Sequence, residues 1–172
     1  MSRRFIVEET RNLHVNNVTG GDPMPRWCDC KQPMNLELYT VIYAKKIEVK
    51  NVPIFSCMSC STYEVLTPVK AHLTEYLQSI ELSINDPYQV VIFSDMDEVA
   101  SLFCDLYMKN KKMDFEKLGD VIEAYKEERI NLLLDVYQCA LQMKDLDWMN
   151  DIERRLEQLS KLHFEEHLSG AG

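Results

Sequence analysis

The sequence predicts an α+β chain, with a small β-rich unit first and a mainly helical part after it. Three observations carry this. Up to about residue 70, β-branched and aromatic runs are separated by turn residues. From about residue 70 the apolar period changes to 3.6. Four of the six cysteines fall as two close pairs inside the first stretch. The chain has 172 residues, 46% of them apolar and 27% charged, which excludes wholesale disorder. Five Gly and six Pro exclude collagen-like and low-complexity chains.

The elements follow in order. Phe5-Ile6-Val7 reads as a short strand, and Asn16 to Pro23 as a loop. Leu36 to Tyr43 is a strand by composition, Lys45-Lys46 a turn, and Ile47-Glu48-Val49-Lys50 a second strand by alternation. Asn51 to Phe55 follows, with Pro53 expected at an edge or a strand start, because it cannot donate to a ladder. Thr62 to Leu66 is one more short strand, ended by Pro68.

Leu73, Tyr76, Leu77 and Ile80 then recur at i, i+3, i+4, i+7, the first helix. Asn85-Asp86-Pro87 breaks it, and Gln89 to Phe93 is short and apolar enough for a strand. Ser94-Asp95-Met96-Asp97 has the S-x-x-D form of a capping box. Behind it Val99, Leu102, Phe103, Leu106 and Tyr107 share one face, with Lys109, Lys111 and Lys112 matched to the negative helix end. Two further stripes are Phe115, Leu118, Ile122, Tyr125, and Ile130, Leu133, Leu134, Tyr137, Ala140, Leu141. They form one long helix or a kinked pair, with Gly119 a weak point. Asp145 opens a last helix whose apolar face is Trp148, Met149, Ile152, Leu156, Leu159 and His163. The tail from Leu168 is expected to fray. This divides the chain into residues 1–70 and residues 71–172.

Charge divides it in the same place. Residues 1–70 carry nine Lys+Arg and seven Asp+Glu, whereas residues 71–172 carry ten and 21. A net of −11 on the helical part repels phosphates and argues against nucleic acid there. It favours a protein partner with a basic surface. No apolar run approaches the roughly 18 residues needed to cross a membrane, and no secretory signal opens the chain. The expected location is cytoplasmic.

In that compartment, paired cysteines point to metal before disulfide. Cys28 and Cys30 lie in Trp27-Cys28-Asp29-Cys30, and Cys57 and Cys60 in Cys57-Met58-Ser59-Cys60. Four thiolates satisfy tetrahedral zinc. A unit of about 70 residues has a thin core and gains from such a staple. The expectation is a zinc-ribbon-like β unit held by structural Zn2+ on Cys28, Cys30, Cys57 and Cys60, with redox pairing or no metal as the alternatives. His14 is a substitute ligand if Cys28 or Cys30 drops out.

These residues also carry a resemblance. The first cysteine pair, the following hairpin, the Asn51-Val52-Pro53 run into Cys57-x-x-Cys60 and the acidic Glu64 resemble a YgiT-type zinc finger, found at the N-terminus of MqsA-like antitoxins. It spans residues 27–68 and departs from the family at the short first pair and at Ser61, where Gly is usual. The resemblance implies structural zinc on the four cysteines and a surface for protein contact. The helix-turn-helix common in such antitoxins has no basic counterpart here. More loosely, Leu134-Asp135, Ala140-Leu141, Asp145, Trp148-Met149 and Ile152 are similar to the helical IDEAL motif, which implies an interaction role. An ordinary antiparallel helix pair accounts for the same pattern.

The remaining candidates are structural readings. Cys104 and Cys139 read as small buried apolar residues. His72, His163 and His167 are isolated. Asp95, Asp97 and Glu98 match a helix N-terminus rather than an acid/base cluster. Tyr137, Met143, Trp148 and Met149 are core at helical spacing, or an adaptable partner face. No phosphate-binding, nucleophile-elbow or zinc-hydrolase motif is present. The expected function is a non-enzymatic regulator or adaptor that binds a protein. The rival is a nucleic-acid-binding ribbon, in which Arg26, Lys31, Lys45, Lys46 and Lys50 interleave with Tyr39, Tyr43 and Phe55.

Overall fold

A computed structural model of the chain describes residues 4–6, 27–83, 85–109 and 118–162. The Asn16–Pro23 loop, His14, Arg26, Lys111, Lys112, Phe115, His163 and His167 lie outside the described residues.

The architecture is α+β. Strands β1 (Arg4–Ile6), β2 (Asn35–Tyr43), β3 (Ile47–Ser56) and β4 (Tyr63–Val65) come first. Helix α1 (Thr67–Ser79), strand β5 (Gln89–Ile92), a 3-10 turn (Phe93–Asp95), and helices α2 (Glu98–Lys109), α3 (Leu118–Met143) and α4 (Leu146–Ser160) follow. The β2–β3 hairpin is the spine of the sheet. Its turn places Ala44 and Lys45 at φ 48° and 57°, and Lys46 N–H donates to Tyr43 O.

One edge of β2 carries β1 in parallel. The outer edge of β3 is shared: β5 runs parallel to Ile47–Lys50, and β4 runs antiparallel to Ile54–Ser56. Between those two partners β3 changes register by one residue, and Asn51 sits there at φ 61°. Asparagine tolerates this left-handed conformation better than most residues. Its side-chain amide donates to Ser94 Oγ at 3.2 Å, tying the bulge to the 3-10 turn.

Pro53 is therefore neither at an edge strand nor at a strand start. It lies inside the central strand, level with the gap between β5 and β4, where the outer ladder is interrupted and its missing N–H is tolerated. The Ile47–Lys50 and Asn51–Phe55 runs form one ten-residue strand.

The sheet and the helices share one apolar cluster running from Cys28 to Leu162. From β3 come Ile47, Val49, Val52 and Ile54, each essentially fully buried. Burial of each such side chain is worth about 1.5–3 kcal/mol. Val69, Leu73 and Leu77 of α1, Leu102, Phe103 and Leu106 of α2, and Ile122, Leu133, Ile152 and Leu159 of α3 and α4 complete it.

The two stripes after residue 110 belong to one 26-residue helix. A Cβ at Gly119 would meet nothing within 4 Å, so the glycine marks no close approach. The capping box falls out of place: Asp97, not Ser94, caps α2, with Oδ1 accepting the Ala100 N–H at 2.7 Å. Asp145 caps α4 through the Trp148 N–H. Helices α3 and α4 form an antiparallel pair, with Tyr137 donating to Glu153 near the open end and Lys126 to Leu162 O at the other. Among the described residues no helix is long and apolar enough to cross a membrane.

Candidate metal centre

Two short loops converge at one end of the β2–β3 hairpin. The first opens at Trp27, which bridges to Pro33, and the second leaves β3 directly into Cys57. The loops are built alike. In the first, Cys28 N–H donates to Gln32 O and Lys31 N–H to Cys28 O. In the second, Cys57 N–H donates to Thr62 O and Ser61 N–H to Cys57 O. In each, the leading cysteine closes onto the second residue past the trailing one. In each, the residue just after the trailing cysteine takes a left-handed backbone: Lys31 at φ 64° and Ser61 at φ 60°. The missing residue of the first pair shortens its inner turn from a five-residue to a four-residue ring, and the loop keeps its form.

The result brings all four sequence-predicted ligands together. The Sγ atoms of Cys28, Cys30, Cys57 and Cys60 lie within 4.8 Å of one another. Two of the contacts cross between the loops, Cys28 with Cys60 at 3.3 Å and Cys30 with Cys57 at 3.5 Å. A tetrahedron of thiolates around zinc has sulfur–sulfur edges near ~3.8 Å, given Zn–S of about 2.3 Å. The leading cysteines are buried and the trailing ones exposed, and all four are free thiols.

Backbone amides aim at the sulfurs. Cys30 N–H points at Cys28 Sγ, and Gln32 N–H at Cys30 Sγ. Cys60 and Ser59 N–H point at Cys57 Sγ, and Thr62 N–H at Cys60 Sγ. Such donors favour the thiolate. The Thr62 hydroxyl, 3.1 Å from Cys60 Sγ, adds to this and holds Cys60 down at about 6. Cys57 is lowered too, by the Cys60 amide first. Cys30 is pushed up to about 12 by the neighbouring Cys57 sulfur. Four sulfurs this close cannot all ionise without a cation among them. The donor set fits a soft, tetrahedral metal ion, and the four residues could hold one.

The other sequence candidates fall elsewhere. Tyr39 and Phe55 are core, and Lys46 is held by the carbonyls of Ser83 and Asp86, at 2.6 and 3.1 Å. Those three therefore do not add to a displayed basic and aromatic face. Cys104 is half-buried, and its neighbour Asp105 and its burial push the thiol up, burial first. Cys139 is exposed, which corrects its assignment to a buried face: it lies on a side of α3 that nothing among the described residues covers.

A polar junction was missed. His72 Nδ1 pairs with the buried Asp97 carboxylate, joining α1 to the start of α2. Glu98, only 4% exposed, takes Arg155 Nε at 2.6 Å and lies 3.5 Å from Arg129 Nε. Arg129 continues to Asp105. Acidic residues beside a helix N-terminus were legible, but their arginine partners lie some 30 and 57 residues away and left no local signal. The His72–Asp97 pair borders an open cleft of about 290 Å³, also lined by Arg154 and Gln158 of α4.

No family model, curated protein or solved structure matches this chain. Its own geometry carries the functional argument.

Proposed function

We propose that the protein is a non-enzymatic regulator or adaptor, with structural zinc rigidifying its N-terminal β unit and its acidic helical part binding a protein partner. The observation that carries this is the closed four-sulfur cluster. With a metal bound, sulfur would supply all four positions of a tetrahedron and leave none for a substrate or an activated water. Four sulfurs in a tetrahedron suit zinc or iron, and the resemblance to the YgiT-type finger is what favours zinc. Cys28 and Cys57 reach into the shared core, so the metal would fix the end of β3 against the first loop. The net charge of −11 beyond residue 70 supports a partner with a basic surface. The cytoplasm, where such thiols stay reduced, is the compartment this reading needs.

The test uses the full chain. Purified protein is assayed for metal by mass spectrometry, and the same protein baits a lysate of its host with and without nuclease treatment. One zinc per chain and one host protein retained in stoichiometric amount are the expected results. Absence of zinc, or retention that vanishes with nuclease, would move the reading to a metal-free module or to the nucleic-acid ribbon.

A further inference from the structure

The α3–α4 pair is longer than the helix packed across it. Helix α3 is about 39 Å long and α2 about 18 Å, at 1.5 Å per residue. Residues Tyr125, Arg129, Leu132, Val136, Cys139 and Met143 recur at helical spacing and form one strip along α3. The first two touch α2: Lys109 Nζ lies 5.1 Å from the Tyr125 ring, and Arg129 binds Asp105 and Glu98. The other four run on past it. Leu132 is 54% exposed and Met143 71%, Cys139 is exposed, and Val136 is half-buried.

Helix α4 shows the same pattern. Arg155 meets α2 through Glu98, and two turns further out, seven residues earlier, lies half-buried Trp148. The outer half of the pair thus presents an apolar face, hereafter the slot, beyond its contacts with α2. Carboxylates rim it: exposed Glu128 and Asp135 beside the strip on α3, and on α4 Asp151, which is paired with Arg154 at 2.6 Å. From Ile130 to Glu153 there are five carboxylates and one lysine. A second copy of this chain, itself at net −9, is a poor match for that rim.

We propose that this slot docks a short basic amphipathic helix of a protein partner, an inference that rests on the protein-binding reading above. About three turns of helix match the span from Leu132 to Met143. Apolar anchors at i, i+3/i+4 and i+7 would enter the strip, and Lys or Arg would meet the rim.

The probe is a fluorescein-labelled Leu/Lys amphipathic peptide of about twelve residues, titrated with the full-length protein by anisotropy. Joint L132N and M143Q substitutions should weaken binding at least about tenfold. L134N, on the opposite flank of α3, should leave it unchanged. Raising salt from about 50 to about 300 mM should weaken binding, and a Leu/Glu peptide should bind less well. In unmutated protein, bound Leu/Lys peptide should slow alkylation of Cys139 by iodoacetamide, read by peptide mapping. No binding of the Leu/Lys peptide, equal loss in L134N, or an unprotected Cys139 would each overturn the slot. A host protein captured equally by the full chain and by its L132N/M143Q form would overturn the slot and keep the adaptor reading. Capture of no host protein would overturn the adaptor reading itself.

Discussion

Removing Arg155 should cost more than its place on a helix surface suggests. Glu98 is almost wholly excluded from water, and its two oxygens depend on Arg155 at 2.6 Å and Arg129 at 3.5 Å. At an effective dielectric of about 20, an opposite charge at that longer separation attracts the carboxylate by about 5 kcal/mol, before desolvation offsets it. Truncating one partner of a buried pair costs about 3–5 kcal/mol. Arg155 keeps nearly a third of its side chain in solvent and Arg129 remains, so the lower end applies. R155M should therefore lose about 3 kcal/mol, or about 6–12 °C in Tm for a chain of this size. The variant E98M/R155M removes both charges, and its loss should be well below the sum of the two single losses. Thermal unfolding followed by circular dichroism at fixed pH and low salt reads all four corners of the cycle. Additive losses, or an R155M loss within about 0.5 kcal/mol of zero, would refute the reasoning.

Three further outcomes are expected. C57S should lose bound zinc and unfold the first part, seen as rapid amide exchange in β2–β4 and release of metal to a chromophoric chelator, because metal-binding energy in such modules is folding energy; a mutant with wild-type zinc content would remove Cys57 from the ligand set. S61G should stabilise the protein by about 1 kcal/mol, since a left-handed backbone at φ 60° strains any residue with a Cβ; a lower denaturation midpoint would contradict this. Tyr137 donates to Glu153, and this, with burial, raises its phenol above the usual value, so the contact's stabilisation is intact below about pH 10 and fades as pH rises through the folded value. Absorbance near 295 nm should lose one tyrosine that titrates above the usual value in Y137F.

How much of this was legible in the sequence depends on the range of the interactions. The helices were readable because their cores recur every three or four residues, as Leu73 and Leu77 or Ile152 and Leu159 do. The four-cysteine centre was readable from two short spacings, although 26 residues separate the pairs. Pro53 misled because its tolerance comes from a gap between two other strands, one of them over 30 residues further on. His72 was unreadable for a similar reason: only the fold brings Asp97 to it. Cys139 looked like core because its strip is apolar from Leu132 to Met143. Where α2 stops, not the strip's own sequence, decides that it is exposed.

The parallel seam between β3 and β5 has a consequence for synthesis. Ile47 to Lys50 leave the ribosome some forty residues before Gln89 to Ile92, the strand that completes their outer edge. At about 5–20 residues per second, that edge stays open for several seconds. It is short, and Glu48 and Lys50 break its apolar run. Charges so placed discourage a nascent neighbour on the same polysome from pairing there first.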